Sequence, residues 1–169
     1  MVSMKTKADV IAQIGDLVRA VGDKFDDSDA DAERDFMAQH CPRRLEAVVR
    51  ELPTLSIHLL DRIGDDPVNI VTLAAHADQL KGTVSKHVQR LVAAGLVERL
   101  PVPGNRKEIT LRLTADGRVV ARAHRRLHDE MNLGMSDFLS RYTHAELATV
   151  AKILGDLLAT ERAGVRLAP

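Results

Sequence analysis

The chain has 169 residues and a formal net charge of zero, with 45% hydrophobic and 28% charged residues. That length suits one domain of ordinary size, and the composition excludes a disordered chain. Aromatics make up 2% and Trp is absent, so the core must be built from Leu, Val, Ile and Ala, which favours packed helices over a β-sandwich. The single cysteine, Cys41, excludes an internal disulfide and suits a reducing cytoplasm. No apolar run is long enough to span a bilayer and the first residues lack a signal-like apolar stretch, so a cytoplasmic protein with no membrane partner is expected.

The zero net charge hides a segregation. Residues 1–66 carry fourteen acidic side chains against nine basic ones. Residues 81–112 carry seven basic ones (Lys81, Lys86, Arg90, Arg99, Arg106, Lys107 and Arg112) against Glu98 and Glu108. A nucleic-acid binder needs a local basic surface rather than a basic whole, although charge alone describes a solvated face equally well.

In chain order, residues 4–22 place Val10, Ile11, Ile14, Leu17, Val18 and Val21 at helical spacing. The acidic stretch 23–29 reads as a break before a second helix from Asp29 to His40. Pro42 kinks that helix or starts a new one, and Arg43–Glu51 is helical in pattern until Pro53 ends it. Thr54 is expected to cap a helix over Leu55–Ile63, and Gly64-Asp65-Asp66-Pro67 is a turn.

Val68–Val71 then reads as extended, with Thr72 capping a short helix to Asp78. Lys81-Gly82-Thr83 leads into a second helix that Ala94-Gly95 closes, with Val84, Val88, Leu91 and Val92 on one face. Leu96–Leu100 reads as a strand, residues 101–105 as a turn, and Glu108–Leu113 as a second strand with Ile109, Leu111 and Leu113 alternating inward. Two short helices followed by a hairpin make a winged helix-turn-helix over residues 72–113. Thr83, Ser85, Lys86, Gln89 and Arg90 form the polar side of its second helix, Lys81 stands at its start, and Arg106 and Lys107 sit at the hairpin tip. A rigid helix with its polar side outward fits a DNA major groove, and cations at the tip reach the backbone or minor groove.

Thr114 caps a long helix to Phe138, and Thr143-His144-Ala145-Glu146 opens the last helix as a capping box. The terminal helices carry more apolar surface than a small winged lobe covers. A two-fold dimer would bury it and space two recognition helices one DNA turn apart. The reading is therefore mainly α with a small β-hairpin wing. Dimerisation helices occupy 1–51 and 115–169, and the winged helix-turn-helix spans 52–114.

Three linked motifs resemble the MarR family: Leu91-Val92-Ala93-Ala94-Gly95-Leu96-Val97-Glu98-Arg99, Gly104-Asn105-Arg106-Lys107, and Leu111-Arg112-Leu113-Thr114-Ala115-Asp116-Gly117. The resemblance covers roughly residues 52–160. It implies an obligate homodimer on palindromic, double-stranded operator DNA and repression modulated by a small-molecule effector. The sequence departs from the pattern at Asn105 and Arg106, which stand where the family usually has an acidic residue and arginines, while the basic tip of the wing survives.

Of seven histidines, His76 and His87 lie in the helix-turn-helix and read as surface or phosphate-facing, and His144 as an exposed first-turn residue. His124 and His128 are one turn apart on a single helix face, a spacing that suits a shared zinc, although a solvated face is the commoner origin of such a pair. His58 lies among apolar neighbours, and the pair His40-Cys41 sits at a helix break. These five residues supply enough nitrogen and sulfur ligands for one closed site.

The resemblance extends to a zinc-responsive MarR subgroup. It implies ligation by His58, His124 and His128, the fourth ligand falling nearest His40, with Cys41 or an N-terminal carboxylate as alternatives. Zinc suits such donors, though Ni²⁺, Co²⁺ and Cu²⁺ share them. Other readings are a phenolic or aromatic effector between the lobes, or oxidation of Cys41 if Arg43 and Arg44 lower its pKa. No Gly-rich phosphate loop, G-x-S-x-G or HExxH is present, so catalysis is not expected.

Overall fold

The computed structural model describes residues 6–26, 30–102, 105–160, 162–163 and 166–167. The side chains of 23–26, 102, 105–108, 162–163 and 166–167 lie outside that description. In order these residues form α1 (Lys7–Asp26), α2 (Ala30–Gln39), α3 (Arg43–Glu51), α4 (Thr54–Ile63), β1 (Val68–Asn69), α5 (Ile70–His76) and α6 (Lys81–Ala93). There follow β2 (Val97–Val102), β3 (Asn105–Leu113), α7 (Ala115–Leu139), α8 (His144–Ala159), β4 (Arg162–Ala163) and β5 (Arg166–Leu167). The chain divides into two compact units, Met1–His124 and Arg125–Pro169, the division falling inside the continuous helix α7.

The first unit holds the core. Leu59 and Leu60 of α4, Leu73 of α5, Val84, Val88 and Leu91 of α6, Leu96 and Val120 are all fully buried. Burial of each such side chain contributes about 1.5–3 kcal/mol before conformational entropy is counted. β1, β3 and β2 form one antiparallel sheet in that order, pairing Val68 with Leu111 and Val97 with Leu113. The mainly helical architecture and its wing match the sequence reading.

The hairpin is longer than the sequence suggests. Pairing continues to Val102 and Asn105, past a register shift between Pro101 and Val102. Pro101 looks like a turn residue, but an edge strand tolerates proline wherever no ladder N–H is needed, and Pro103 lies outside the described residues. The two-residue pair β4–β5 was not expected either, being too short to show strand periodicity.

The caps correct several expectations. α1 begins at Lys7 because Thr6 and Asp9 cap it reciprocally: Asp9 N–H donates to Thr6 Oγ1 at 3.2 Å and Thr6 N–H to Asp9 Oδ2 at 2.8 Å. It also runs through Asp23–Asp26, which read as a break. Pro53, rather than Thr54, occupies the cap position of α4, with no side-chain bond. Asn69, rather than Thr72, caps α5: its Oδ1 accepts from Val71 N at 3.0 Å and Thr72 N at 2.9 Å. β1 thus passes directly into α5.

The Leu-Thr-x-x-Gly motif acquires a physical reason. Thr114 N–H donates to Leu96 O at 3.0 Å, and its hydroxyl donates to Gly95 O at 2.7 Å. Gly117 N–H donates to Thr114 Oγ1 at 3.0 Å, so Thr114 caps α7 as expected. A Cβ on Gly117 would lie 1.9 Å from Leu96 O, so only glycine lets α7 approach the chain at the end of α6 this closely. The capping box of α8 is also present, with Glu146 N–H on Thr143 Oγ1 and Thr143 N–H on Glu146 Oε2.

Among the described residues, apolar side chains of α1 and α8, and Met131, Leu133, Met135 and Phe138 of α7, stay exposed. In α1, Val10, Ile11, Ile14, Leu17, Val18 and Val21 are 42–60% exposed. In α8 no residue is buried, and Val150, Ile153, Leu154 and Leu158 are 50% exposed or more.

Candidate nucleic-acid interface and metal centre

α6 separates its faces cleanly. Val84, Val88 and Leu91 point into the core, while Lys81, Lys86, Gln89 and Arg90 are exposed and Thr83 and Ser85 half-buried. The helix opens at Leu80 without a side-chain cap and closes at Gly95, which takes φ +71° while Leu96 N–H bonds back to Leu91 O. The preceding turn contains Asp78 at φ +50°, the one described non-glycine residue in the left-handed region. A rigid helix with a basic, hydrogen-bonding outer side results.

The side chains of Arg106 and Lys107 lie outside the described residues, although both belong to β3. Arg112 forms an ion pair with Glu98 across the strands, its Nε 2.9 Å from Glu98 Oε1, so this cation braces the wing. Arg99 remains exposed.

His87 departs from the surface role that the sequence suggests. Its Nδ1 stands 2.8 Å from Ser56 Oγ of α4. Burial, then Arg90 and Lys86, lower its pKa, so the neutral ring is favoured. Ser56 is fully buried and was not singled out, since a lone serine in a helix carries no sequence signal. His76 and His144 are exposed, as expected.

The histidines outside the helix-turn-helix converge. One ligand atom from each of His58, His124 and His128 lies within 4.8 Å of the other two. His124 is 5% exposed, and its ring centroid is 5.1 Å from that of His58. His128 follows one turn further along α7, so helix geometry alone sets it beside His124. Tetrahedral zinc with Zn–N of about 2.0–2.1 Å needs its nitrogens about 3.4 Å apart, a closure within the range of small side-chain rotations. Three imidazoles are of the donor type that zinc takes, and they stand near enough to close on one ion.

His40 and Cys41 are not members of this group. His40 Nδ1 lies 2.7 Å from the Phe36 carbonyl, which can only accept, so Nδ1 is the donor. Cys41 is half-buried, and burial, then Glu46, push its thiol pKa up rather than down. The lowered pKa that an oxidation sensor needs is therefore absent. An open cavity of about 510 Å³ lies by α3 and the end of α6, lined by Val48, Glu51, Leu52, Pro53, Arg90 and Ala94.

The fold and the outward-facing helix define a winged helix-turn-helix protein. The sequence pattern of the MarR family matches residues 51–108. The HTH-type transcriptional regulator PchR of Bacillus subtilis is 31% identical over 118 residues, covering 68% of this chain and 70% of PchR. The uncharacterized HTH-type transcriptional regulator YhjH of the same organism is 30% identical over 109 residues, 64% of this chain; the chain spans 62% of YhjH's length. The chain belongs to the MarR family, whose named relatives here are transcriptional regulators rather than enzymes.

Solved structures agree on the fold. FabT of Streptococcus pneumoniae, in complex with DNA, has a TM-score of 0.62 at 21% identity, covering 88% of this chain and 94% of that one. ZitR of Lactococcus lactis, a zinc-responsive MarR family member, has a TM-score of 0.60 at 17% identity, covering 64% of this chain and 75% of that one. Among the described residues no helix is long and apolar enough to cross a membrane.

Proposed function

We propose that the chain is a homodimeric, sequence-specific DNA-binding transcriptional regulator whose operator affinity is set by a bound divalent metal, zinc. Operator DNA is the partner because α6 presents Lys81, Lys86, Gln89 and Arg90 outward from a packed helix-turn-helix. Lys81, Lys86 and Arg90 serve phosphates, while Thr83, Ser85 and Gln89 offer hydrogen bonds to base edges. Arg106 and Lys107 on the wing strand are assigned to the flanking backbone or minor groove. Such a protein acts where the genome is, in the cytoplasm.

Residues 1–51 and 115–169 form the dimer, and 52–114 read DNA. In support, α1 and α8 both expose apolar faces among the described residues. An isologous two-fold contact is the commonest way to cover such faces.

The observation that carries the metal reading is the convergence of His58, His124 and His128. His40, which stands outside that group, is the candidate fourth ligand in this reading, its Nδ1 already bonded to a backbone carbonyl. That second-shell bond leaves Nε2 free to ligate. When bound, zinc supplies a crosslink between α4 and α7. The chain's own contribution is to hold imidazoles on two helices that both belong to, or lead out of, the DNA-binding lobe. Regulation follows if the metal binds the DNA-competent arrangement more tightly than the alternative.

The test is duplex affinity with and without Zn²⁺ for the wild type and for His124→Ala. The wild type should respond to zinc and the variant should not. Equal affinity in all four combinations would remove the metal from the mechanism while leaving DNA binding intact. An aromatic effector is the second reading, favoured by the cavity beside Arg90; there the histidines would be dispensable.

A further inference from the structure

Leu80 is the most exposed large apolar side chain described in the first unit, at 79%, although it is the residue at which α6 begins. Its carbonyl accepts from Val84 N–H at 3.1 Å, so its backbone occupies the cap position with φ −62° and ψ 136°. No side-chain bond reaches the free N–H groups of the first turn, which Ser, Thr, Asp or Asn there would satisfy. Leucine at this site thus forgoes a cap and gains no burial. Local stability does not explain it, and positions of that kind mark function.

Its surroundings indicate what covers it. Lys81 adjoins it, and Lys86 and Arg90 continue the exposed side of the same helix. A partner matched to these cations is a polyanion, and within DNA the one apolar group on a major-groove base edge is the thymine C5-methyl. The first residues of a recognition helix are those that reach base edges.

We infer that Leu80 is a specificity-determining residue that reads a thymine methyl in each half-site. This rests on the DNA-binding reading above.

The experiment selects duplexes from a random-sequence library with the wild-type protein and then replaces each thymine singly by uracil, which removes only the methyl. One thymine per half-site should respond, with affinity falling about fourfold for the lost methyl contact. Leu80→Ser should bind thymine and uracil duplexes alike at that position, and should melt higher because serine restores the cap. A purely structural leucine would not change thymine–uracil discrimination. If no thymine responds, or if Leu80→Ser still discriminates, the inference falls while selective binding stands. If no sequence is enriched, the DNA-binding reading itself falls.

Discussion

Ser56 Oγ and His87 Nδ1, 2.8 Å apart, join α4 to the middle of the recognition helix. The bond lets a fully buried hydroxyl be satisfied inside the core and fixes one ring nitrogen of His87. It also places a titratable group between α6 and the helix that carries His58.

The pKa of His87 is depressed by burial, then Arg90 and Lys86, below its ordinary value of 6.5. A group lowered in the folded state contributes stability that is present above its unfolded pKa and lost as pH falls through the folded value. The melting temperature should therefore fall on acidification below pH 6.5, and fall less for His87→Gln. Thermal denaturation of both proteins across that range checks it; parallel curves would remove His87 as the cause. Ser56→Ala should cost about 1 kcal/mol at neutral pH through the lost bond.

Gly117→Ala should be among the most destabilising small substitutions in the winged lobe. The new Cβ meets backbone, Leu96 O at 1.9 Å and Leu96 C at 2.9 Å, which no rotamer change can relieve. A loss of about 2–3 kcal/mol in urea unfolding is expected. Gly95→Ala, strained only by φ +71°, should lose about 1–2 kcal/mol.

Zinc titration should separate the ligand candidates. His58→Ala and His124→Ala should weaken zinc affinity more than about 100-fold, beyond the effect of second-shell changes. His40→Ala should weaken it comparably, whereas Cys41→Ser should leave it unchanged. The reverse order for the last two would move the fourth ligand to the thiol.

Lys86→Ala and Arg90→Ala should weaken binding to all duplexes by similar factors. Each should also lower the slope of log affinity against log salt by about 1. Titration at several salt concentrations measures this. A sequence-dependent loss with an unchanged slope would reassign the residue to base readout.

Ile153→Glu, on the exposed face of α8, should convert a dimer to a monomer in sedimentation without unfolding the winged lobe. Monomers should then bind a palindromic duplex with lower affinity than a preformed dimer, since the second half-site no longer comes tethered. An unchanged molecular mass would place the dimer contact elsewhere.

Much of this was legible before any fold was known. The period of Val84, Val88 and Leu91 and the alternation of Ile109, Leu111 and Leu113 are local patterns, and they located the helix-turn-helix and its wing. The His124–His128 spacing was equally local. The cap positions were less legible, because Thr54 and Thr72 are cap-forming residue types as Asn69 is. Only the pairing of β1 with β3 sets the chain angle at which α5 starts.

Residue type and periodicity along the chain determined the order of helices and strands, the basic side of α6 and the turn spacing of His124 and His128. Those depend on backbone geometry repeated every few residues, which any one segment carries within itself. Tertiary structure alone decided that His58 meets His124, that His87 turns to Ser56 and that Gly117 touches the Leu96 carbonyl. Each joins residues on separate elements. Their distance follows from how apolar faces pack in three dimensions, information that no single segment contains.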